Sequence, residues 1–433
     1  MTSTMLLPRD TLAMILAGGR VNELAALTIH RPKSAMPFGG IYRVIDCALS
    51  NLASSGINRI GILSQYRPLS LMDHVRDGRY WDFQGFQRGV TFLPPHTGES
   101  DSDWYKGTAD ALYQNISFIE HFKKPLTLVL SGDHIYRMDY HRLFEIHNNT
   151  GAEMTMAVTR VPQSVACRYG LAEIDDRGMV TRYLEKPVEP ISSMASMTVY
   201  LFNTDVLIRE LRANARTGKT FQIYDEILPK MVARGTVAAH CHDDYWSYSR
   251  SLEDYFNTNM DCLGDPPVAD LSRWRLFTNH DAGRIGDPPP LLAGIHSRIV
   301  DSMISPGCIV HGSVSHSILS PRVIVEEGAE ISDSVIFDGT VIRAGAVIQR
   351  SIIDKNAVIG RGTHVGCGKK EPGCLEANRV LPNLLQCGLT VIGKRAVVPA
   401  DMMVGTNVLI YPDVAAGDFR TGTVPHGATI LPE

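Results

Sequence analysis

Residues 14–40 read MILAGGRVNELAALTIHRPKSAMPFGG, and the rest of the chain is organised around this stretch. Apolar residues run into Gly18-Gly19-Arg20, and a second basic cluster, Arg31-Pro32-Lys33, follows after a short interval. This pattern predicts a buried strand that ends in a loop. Glycines let backbone N–H groups approach a phosphate closely, and the two basic side chains add charge-assisted contacts. The alternative for an isolated Gly-Gly pair is a tight turn.

Composition excludes several classes of protein. The chain has 433 residues, which is enough for two or three domains with their own cores. A net charge of −4 argues against binding to nucleic acid or to an anionic membrane, because there is no global positive field. No apolar run could span a bilayer and no secretion signal is recognisable, so we expect a cytoplasmic protein. The eight cysteines form no CxxC pair, which favours reduced thiols over a metal site at Cys367 and Cys374.

Short apolar segments alternate with helical patterns through residues 1–263, which we interpret as one domain. The alternation predicts an α/β fold with a mostly parallel sheet, in which ligands bind beyond the carboxyl ends of the strands. Two loops that emerge there carry Gly18-Gly19-Arg20 and Ser131-Gly132-Asp133. The predicted strands are 12–17, 59–64, 126–130 and 154–158, and the predicted helices are 44–55 and 108–122.

A hexapeptide repeat dominates the last part of the chain. Residues 264–293 are rich in Pro, Gly and Asp and are interpreted as a connector, so the second domain is predicted at 294–433. A period of six is typical of a parallel β-helix, here with an imperfect first coil and an inserted loop at 367–388. We favour a role in scaffolding and oligomerisation over a separate acyl-transfer activity. The periodic positions are Val323, Ala329, Val335, Val341, Val347, Ile353, Ile359 and Val365, followed by Ile392, Val398, Val404 and Ile410.

Several ordered motifs make the chain similar to the bacterial ADP-glucose pyrophosphorylase (glucose-1-phosphate adenylyltransferase) family. The resemblance covers nearly the whole chain. It implies a Rossmann-like nucleotidyltransferase domain, a left-handed β-helix and a tetramer. It also implies a cytoplasmic enzyme that converts ATP and glucose 1-phosphate to ADP-glucose and diphosphate for glycogen. The motifs are ILAGGR, RPKSAMPFGG, YRVIDCALSN, SQYRPLSL, WYKGTADAL, SGDHIYRMDY, YLEKP and ASMTVYLF.

The resemblance also implies the roles of individual residues. Asp133 matches the family's Mg²⁺-binding aspartate, although an aspartate at this place could instead cap the next helix. Trp104 and its neighbour Tyr105 could instead fill core, and EKP could be an exposed turn. The implied catalytic residues are Asp133, Lys33 and Arg20. The implied nucleotide-binding residues are Gly18, Gly19, Gln65, Trp104, Gly107 and Asp110, and the implied sugar-phosphate residues are Glu185, Lys186 and Ser196.

The sequence departs from the family pattern on the diphosphate and metal side. Val21 and Glu23 stand in the glycine-rich loop where the family has a glycine and an arginine, and Tyr248 replaces a second metal-binding aspartate. Thr198 replaces a glycine in the ASMG motif, and 222–226 diverges from the family's DFGKD. A phenol is a poor Mg²⁺ ligand at neutral pH, so we expect weak intrinsic turnover.

Two alternatives remain beside a fully active enzyme. The chain could be an inactive regulatory or structural subunit that joins an active paralogue in a homo- or hetero-oligomer. A bifunctional acyltransferase is disfavoured, because single histidines such as His311, His316 and His364 are more often structural. Effector-binding candidates, by position only, are Arg9, Arg20 and His30.

Overall fold

The chain is described by a computed structural model that covers residues 6–19, 21–96, 104–280, 288–367 and 376–433. It divides into two compact units. The first unit comprises Met1–Gly19 and Ile45–Trp246, and the second comprises Arg20–Val44 and Ser247–Glu433. The boundaries 1–263, 264–293 and 294–433 stay a proposal from the sequence. No helix in the described ranges has the length and apolar character of a membrane span.

A nine-stranded sheet forms the centre of the first unit. The strands are β1 (Thr11–Leu16), β2 (Arg59–Leu63), β3 (Gly89–Leu93), β4 (Leu126–Ser131), β5 (Met154–Arg160), β6 (Gly170–Ile174), β7 (Val180–Glu185), β8 (Met194–Asn203) and β9 (Val237–His242). They run in the spatial order β7-β6-β8-β4-β1-β2-β3, while β5 also pairs with β8 and β9 pairs with β5.

The predicted α/β class and the four predicted strands are confirmed. Neighbours β3, β2, β1 and β4 are parallel, whereas β8 is antiparallel to β4 and β5, so the sheet is mixed. Residues Leu12 and Ile15 of β1 are fully buried, as are Leu128 and Leu130 of β4. Continuous apolar runs of this kind are typical of parallel strands that are buried on both faces.

The helices of the first unit follow the sequence pattern with one correction. The prediction of a single helix over 108–122 is wrong, because the helix is interrupted at Asn115. The Asn115 side chain donates from Nδ2 to the Tyr105 hydroxyl at 2.9 Å and to the Ala111 carbonyl at 2.8 Å. The helices are α1 (Val44–Ser54), α2 (Leu69–Val75), α3 (Thr108–Gln114), α4 (Ile116–Phe122), α5 (His141–Thr150), α6 (Gln163–Ala166), α7 (Thr204–Thr217) and α8 (Leu228–Ala233), with a π-helix at Ile223–Ile227 before α8.

The second unit contains the predicted left-handed β-helix. Its short strands stack in parallel into three sheets, one for each face of the coil. One sheet joins Leu292–Ala293, Ile309–Val310, Ile324–Val325, Val341–Ile342, Val358–Ile359 and Val397–Val398. The second joins Arg298–Val300, Ser313–Ser315, Glu330–Ser332, Val347–Gln349, His364–Val365, Met403–Val404 and Thr423–Val424. The third joins Met303–Ile304, Ile318–Leu319, Val335–Ile336, Ser351–Ile353, Thr390–Ile392, Leu409–Ile410 and Thr429–Ile430.

The observed coil length shows that the predicted period of six is not strict. Ile324 pairs with Val341, and Val341 pairs with Val358, so these coils advance 17 residues per turn. The inward position therefore shifts by one along the series, and Ile342 and Ile348 are fully buried whereas Val341 and Val347 are only half-buried. The imperfect first coil is confirmed, because the first rungs of two sheets pair Arg298 with Ser313 and Met303 with Ile318 at a spacing of 15.

The predicted insertion at 367–388 is also confirmed. Ile352 pairs with Val391, 39 residues on, so the ladder resumes after the extra segment. Within the described part, Asn378 is fully buried and its Nδ2 donates to the carbonyl of Asn407 at 3.0 Å. The favoured reduced state is wrong for Cys367, which is disulfide-bonded.

A buried ion pair fixes the segment Arg20–Val44 within the second unit. Arg31 Nη2 lies 2.7 and 2.6 Å from the two carboxylate oxygens of Asp354, and both side chains are almost completely buried. Breaking a buried pair on one side leaves an uncompensated charge, which typically costs about 3–5 kcal/mol. This unit also contains helices α9 (Leu252–Met260) and α10 (Leu271–Trp274).

We expect the first unit to lose stability in mild acid because of His240 on β9. Burial, helped by the positive charges of the neighbouring His242 and Arg142, lowers the pKa of His240 to about 4. The unfolded chain takes up this proton near pH 6.5 and the folded chain only near pH 4, so stability falls as the pH drops through this window. The contribution is at most roughly 3 kcal/mol, from about 1.4 kcal/mol per pKa unit. Thermal melts of wild type and His240→Gln from pH 7 to 4 test this, with the exposed His121→Gln as control. Parallel curves for all three proteins would contradict it.

Candidate functional site

Three loops of the first unit meet at the carboxyl edge of the parallel strands. Leu16 is paired with Ser131 in the register of β1 and β4, and with Leu63 in the register of β1 and β2. Beyond the strands, the Ala17 N–H donates to the carbonyl of Leu63, and the Gly132 N–H donates to that of Leu16, both at 2.9 Å. The sheet therefore brings the loops after β1, β2 and β4 together.

Gly18 lies in close contact with the loop after β2. Its carbonyl accepts from the Tyr66 N–H at 3.2 Å, and a Cβ at this position would lie 3.1 Å from the backbone nitrogen of Gln65. Gly19 faces open space, because no atom of the described residues lies within 4 Å of the place that a Cβ would take. The sequence-predicted Arg20 lies outside the described residues.

Asp133 follows β4 directly and is held by polar neighbours. Its Oδ1 accepts a hydrogen bond from the Ser131 hydroxyl and lies 3.8 Å from Nε2 of the buried His134. The other ring nitrogen of His134, Nδ1, accepts from the Trp246 indole at 3.4 Å. The carboxylate is thus oriented at the strand end, with 18% of its side chain exposed.

The predicted nucleotide loop is anchored to Gln65. The Gln65 side-chain amide donates to the Tyr105 carbonyl at 3.1 Å and accepts from the Tyr105 N–H at 2.8 Å. Tyr105 is buried and donates its hydroxyl to the Leu93 carbonyl at 2.9 Å, whereas the side chain of Trp104 is 69% exposed. Of the two aromatics, only Tyr105 fills core, and Trp104 is accessible to a ligand.

A second glutamine holds the other end of this loop. Gln222 Oε1 accepts from the Thr108 N–H at 2.9 Å and from the Thr108 hydroxyl at 3.0 Å. A Cβ at Gly107 would overlap the Phe221 carbonyl and lie 2.8 Å from Gln222 Cδ, so close backbone approach requires glycine. The carboxylate of Asp110 accepts from the Lys106 N–H at 2.9 Å, which places Asp110 as a support of the loop.

Gly107→Ala should destabilise the first unit and weaken ATP binding, because the added methyl group pushes the loop off Phe221. Overpacking of this kind costs about 1–3 kcal/mol. Scanning fluorimetry with and without ATP measures both effects. Gly19→Ala is the matched stability control, since its methyl group meets no atom of the described ranges, and it should stay within about 0.5 kcal/mol of wild type. Equal melting temperatures for the two variants would contradict the packing argument.

The predicted sugar-phosphate residues lie on β7 and β8. Glu185 ends β7, and its Oε2 accepts from the Tyr183 hydroxyl at 2.6 Å while its Oε1 lies 3.4 Å from Lys186 Nζ. Gly170 is opposite Glu185 in the ladder, and a side chain there would collide with the Tyr183 hydroxyl and the Glu185 carboxylate. Ser196 on β8 is buried, and its hydroxyl lies 3.1 Å from the Tyr200 hydroxyl.

Three departures from the family pattern, Val21, Glu23 and Tyr248, lie in the second unit. The side chain of Lys33 is buried, and its Nζ lies 3.6 Å from the ring centroid of Tyr248. Arg250 Cζ lies 5.4 Å from the same centroid. Cation–π geometry of this kind favours positive charge, so the position of Tyr248 attracts cationic side chains. Glu23 is exposed.

The two described effector candidates lie in different units, His30 in the second and Arg9 in the first. His30 Nε2 lies 3.5 Å from Asp413 Oδ2, and Arg395 binds that carboxylate with both Nε and Nη2. Burial lowers the pKa of His30, although Asp413 opposes this. Arg9, in the first unit, is exposed and its carbonyl accepts from Lys124 at 2.8 Å.

Sequence reasoning missed the side chains that support the site. Ser131 and His134 flank Asp133 in SGDHIY, and their positions next to a strand end could have marked them. Gln222 lies in the divergent segment 222–226, so no motif pointed to it. Tyr183 lies two residues before Glu185 of EKP, and its bond to Glu185 depends on the strand pleat.

The donor set at Asp133 suits a metal ion that is bound mainly through substrate oxygens. Among the described residues there is no group of three or more His, Cys, Asp or Glu side chains that could hold a metal alone. Mg²⁺ commonly binds through one or two carboxylates together with phosphate oxygens and water. An oriented, partly exposed carboxylate beside a glycine loop fits this requirement.

Comparison with known proteins identifies the class. The nucleotidyl transferase family matches residues 12–264, and the GlmU-like C-terminal hexapeptide family matches residues 292–373. The chain is thus a nucleotidyl transferase with an appended hexapeptide β-helix. Enzymes of this class generally use a divalent metal ion.

Relatives of full length narrow the class further. A glucose-1-phosphate adenylyltransferase from Thermotoga neapolitana is 38% identical over 428 residues, covering 98% of this chain and 99% of the relative. One from Acetivibrio thermocellus is 34% identical and covers 98% of both chains, and one from Clostridium perfringens is 40% identical over 84% of this chain and 93% of the relative. The chain belongs to the glucose-1-phosphate adenylyltransferase family.

Proposed function

We propose that this chain makes ADP-glucose and diphosphate from ATP and glucose 1-phosphate, for glycogen synthesis in the cytoplasm. The observation that carries the proposal is that relatives named for this reaction match 98% of the chain. The geometry of the first unit supports it, since the loops after β1, β2 and β4 meet at one edge of the sheet.

The nucleotide is proposed to bind along the loops that Gln65 joins. Backbone groups at Gly18 and Gly19 approach the phosphates, and the loop after Trp104, anchored through Tyr105, receives the base. Gly107 and Asp110 keep that loop in place. These residues orient ATP, and positioning supplies much of the rate in phosphoryl and nucleotidyl transfer.

The sugar phosphate is proposed to bind on the side of β7 and β8. Glu185, oriented by Tyr183, accepts hydrogen bonds from sugar hydroxyls, and Lys186 pairs with the phosphate. Ser196 adds a further sugar contact. A phosphate oxygen of the sugar phosphate then attacks the α-phosphorus of ATP, and the bond to the departing diphosphate breaks.

Charge on the departing diphosphate must be neutralised. Asp133 would hold a Mg²⁺ ion, which neutralises phosphate charge when bound. Arg20 and Lys33 are the proposed cationic groups. Glu23 puts an anion where the family pattern has a cation, and Tyr248 puts a neutral phenol where it has a second carboxylate, so we propose slow intrinsic turnover. Nothing in the comparisons favours an inactive subunit over the enzyme.

An oligomer is also proposed, with copies of this chain or with a paralogous subunit. The ends of stacked β-helix coils carry unpaired backbone groups that a subunit contact can cover. Sedimentation of the purified chain, alone and with an active paralogue, separates the two assemblies.

The assay of choice is diphosphate release by the full chain with Mg²⁺, ATP and glucose 1-phosphate. We expect slow release that requires all three components. Release with UTP in place of ATP, at an equal or higher rate, would overturn the assignment of the nucleotide. No release, together with no binding of either substrate, would overturn the proposed reaction.

A further inference from the structure

Helix α3 begins without a cap from the residue that precedes it. The first N–H groups of a helix have no partner within the helix, and a side chain just before the helix commonly satisfies one of them. The residue at that place is Gly107, which has no side chain. Instead, the carbonyl of Phe221 accepts from the Ala109 N–H at 2.8 Å and from the Asp110 N–H at 3.3 Å. The start of α3 is thus capped by a distant part of the chain.

Gln222 completes this cap through its side chain. Its Oε1 accepts from the Thr108 N–H at 2.9 Å and from the Thr108 hydroxyl at 3.0 Å, across 114 positions of sequence. The Ile223 N–H in turn donates to the oxygen of the Thr108 hydroxyl at 3.0 Å. Thr108 therefore uses its backbone donor and both functions of its hydroxyl on the segment that carries Gln222.

The segment that carries Gln222 is itself anchored by Glu226 in the π-helix that follows. Glu226 Oε2 accepts from Asn214 Nδ2 at 3.1 Å, from the Thr217 hydroxyl at 3.2 Å and from the Thr220 hydroxyl at 3.1 Å. Asn214 and Thr217 belong to α7, so this helix fixes the position of the segment. Helices of the π type are rare and frequently mark functional sites.

The predicted nucleotide loop, residues 104–107, is consequently held by a glutamine at each end. Gln65 binds both backbone groups of Tyr105 near its start, and Gln222 binds Thr108 just after its end. A loop that is ordered before its ligand arrives loses little conformational entropy on binding. The two side chains therefore pre-organise this loop for a ligand.

We propose that Gln222 is a positioning residue for the nucleotide, which caps α3 and so holds the loop 104–107 in the conformation that receives the base of ATP. This inference rests on the proposed function, which assigns that loop to ATP. Gln222 acts through Thr108 and not by touching the ligand. Without its side chain, the Phe221 carbonyl and Glu226 still hold the fold, but the end of the loop is released. The entropy of ordering the loop then opposes ATP binding.

Calorimetric titration of the full chain with ATP, in the presence of Mg²⁺, tests the proposal without requiring turnover. Gln222→Ala should weaken ATP binding about tenfold, because two hydrogen bonds to Thr108 are lost. Gln222→Glu should restore binding to within about threefold of wild type, since a carboxylate accepts the same two bonds. The exposed Gln87→Ala is the matched control in the first unit and should bind ATP as wild type does.

A second variant breaks the same contact from the other side. Thr108→Val keeps the shape of the side chain and removes the hydroxyl, so it should also weaken ATP binding. Because both substitutions remove one contact, the double variant Gln222→Ala with Thr108→Val should lose less affinity than the product of the two single losses.

Steady-state diphosphate release supplies a readout that general loss of structure would not produce. For Gln222→Ala the KM for ATP should rise about tenfold while kcat stays within about twofold of wild type, because saturating ATP restores the loop conformation. A fall in kcat as large as the rise in KM would overturn the positioning role.

The outcomes also separate this inference from the proposed function. If wild type and Gln222→Ala bind ATP equally, the role of Gln222 is overturned and the proposed function stands. An equal loss of affinity in Gln87→Ala would overturn the role as well. If wild type itself does not bind ATP, the proposed function fails and the inference with it.

Discussion

Asp133→Asn should abolish most diphosphate release, with a loss in kcat of about 10²–10³-fold or more. The carboxamide has nearly the same shape and still accepts from the Ser131 hydroxyl, so the fold should be unchanged. It carries no charge, however, and neutral amides bind Mg²⁺ far more weakly than carboxylates. Diphosphate release at saturating substrates, measured over a range of Mg²⁺ concentrations, checks the expectation.

Asp176→Asn is the control for this substitution, because Asp176 is exposed in the turn between β6 and β7. It should retain wild-type kcat and the wild-type Mg²⁺ requirement. Both variants should melt within about 2 °C of wild type. A value of kcat for Asp133→Asn within fivefold of wild type would show that this carboxylate is not the metal ligand.

The second large expected effect is a gain in kcat. Glu23→Arg combined with Tyr248→Asp should raise kcat by about tenfold or more, since it restores a cation and a carboxylate where the family pattern has them. In the present structure Tyr248 contacts Lys33 through its ring, 3.6 Å from the ammonium group, and Arg250 lies over the same ring. A carboxylate at this position would also attract both cations. The steady-state rate of diphosphate release is the measurement.

The single variants and a charge-matched variant make the gain interpretable. Glu23→Arg alone and Tyr248→Asp alone should each give a smaller increase than the pair. Glu330→Arg, on an exposed position of the β-helix, makes the same charge change as Glu23→Arg alone and should leave kcat at the wild-type value. If the double variant is no faster than wild type, the substitutions at 23 and 248 do not limit turnover.

Much of the architecture could be predicted because it depends on local apolar pattern. Buried parallel strands read as continuous apolar runs, and β1 and β4 follow that rule along nearly their whole length. The β-helix was predictable for a similar reason, since each coil repeats the same short apolar segments. The coil length of 17 residues was not predictable. Three faces of six residues would give 18, so one face of each coil is a residue shorter, and only the ladder register shows which face that is.

What the sequence could not provide are contacts between distant residues. Asn115, where the helix breaks, donates to the hydroxyl of Tyr105, and a side chain at Gly107 would overlap the backbone of Phe221. Likewise, Thr198 could be recognised as a departure from glycine, but the bulge that makes it unusual arises from the pairing of β8 with β5. Such contacts leave no local pattern in the sequence. Motifs therefore identify the residues proposed to bind ligands but not the side chains that hold those residues in place.

The ion pair between Arg31 and Asp354 has a practical consequence for dissecting the protein. The two residues are 323 positions apart, and cutting the polypeptide at the Pro-rich connector would separate them. A fragment ending at residue 263 would keep a guanidinium without its carboxylate, at a site shaped to bury both. Truncation experiments would therefore report misfolding of the segment that carries Glu23 and Lys33, and activity of this family member has to be studied on the intact polypeptide.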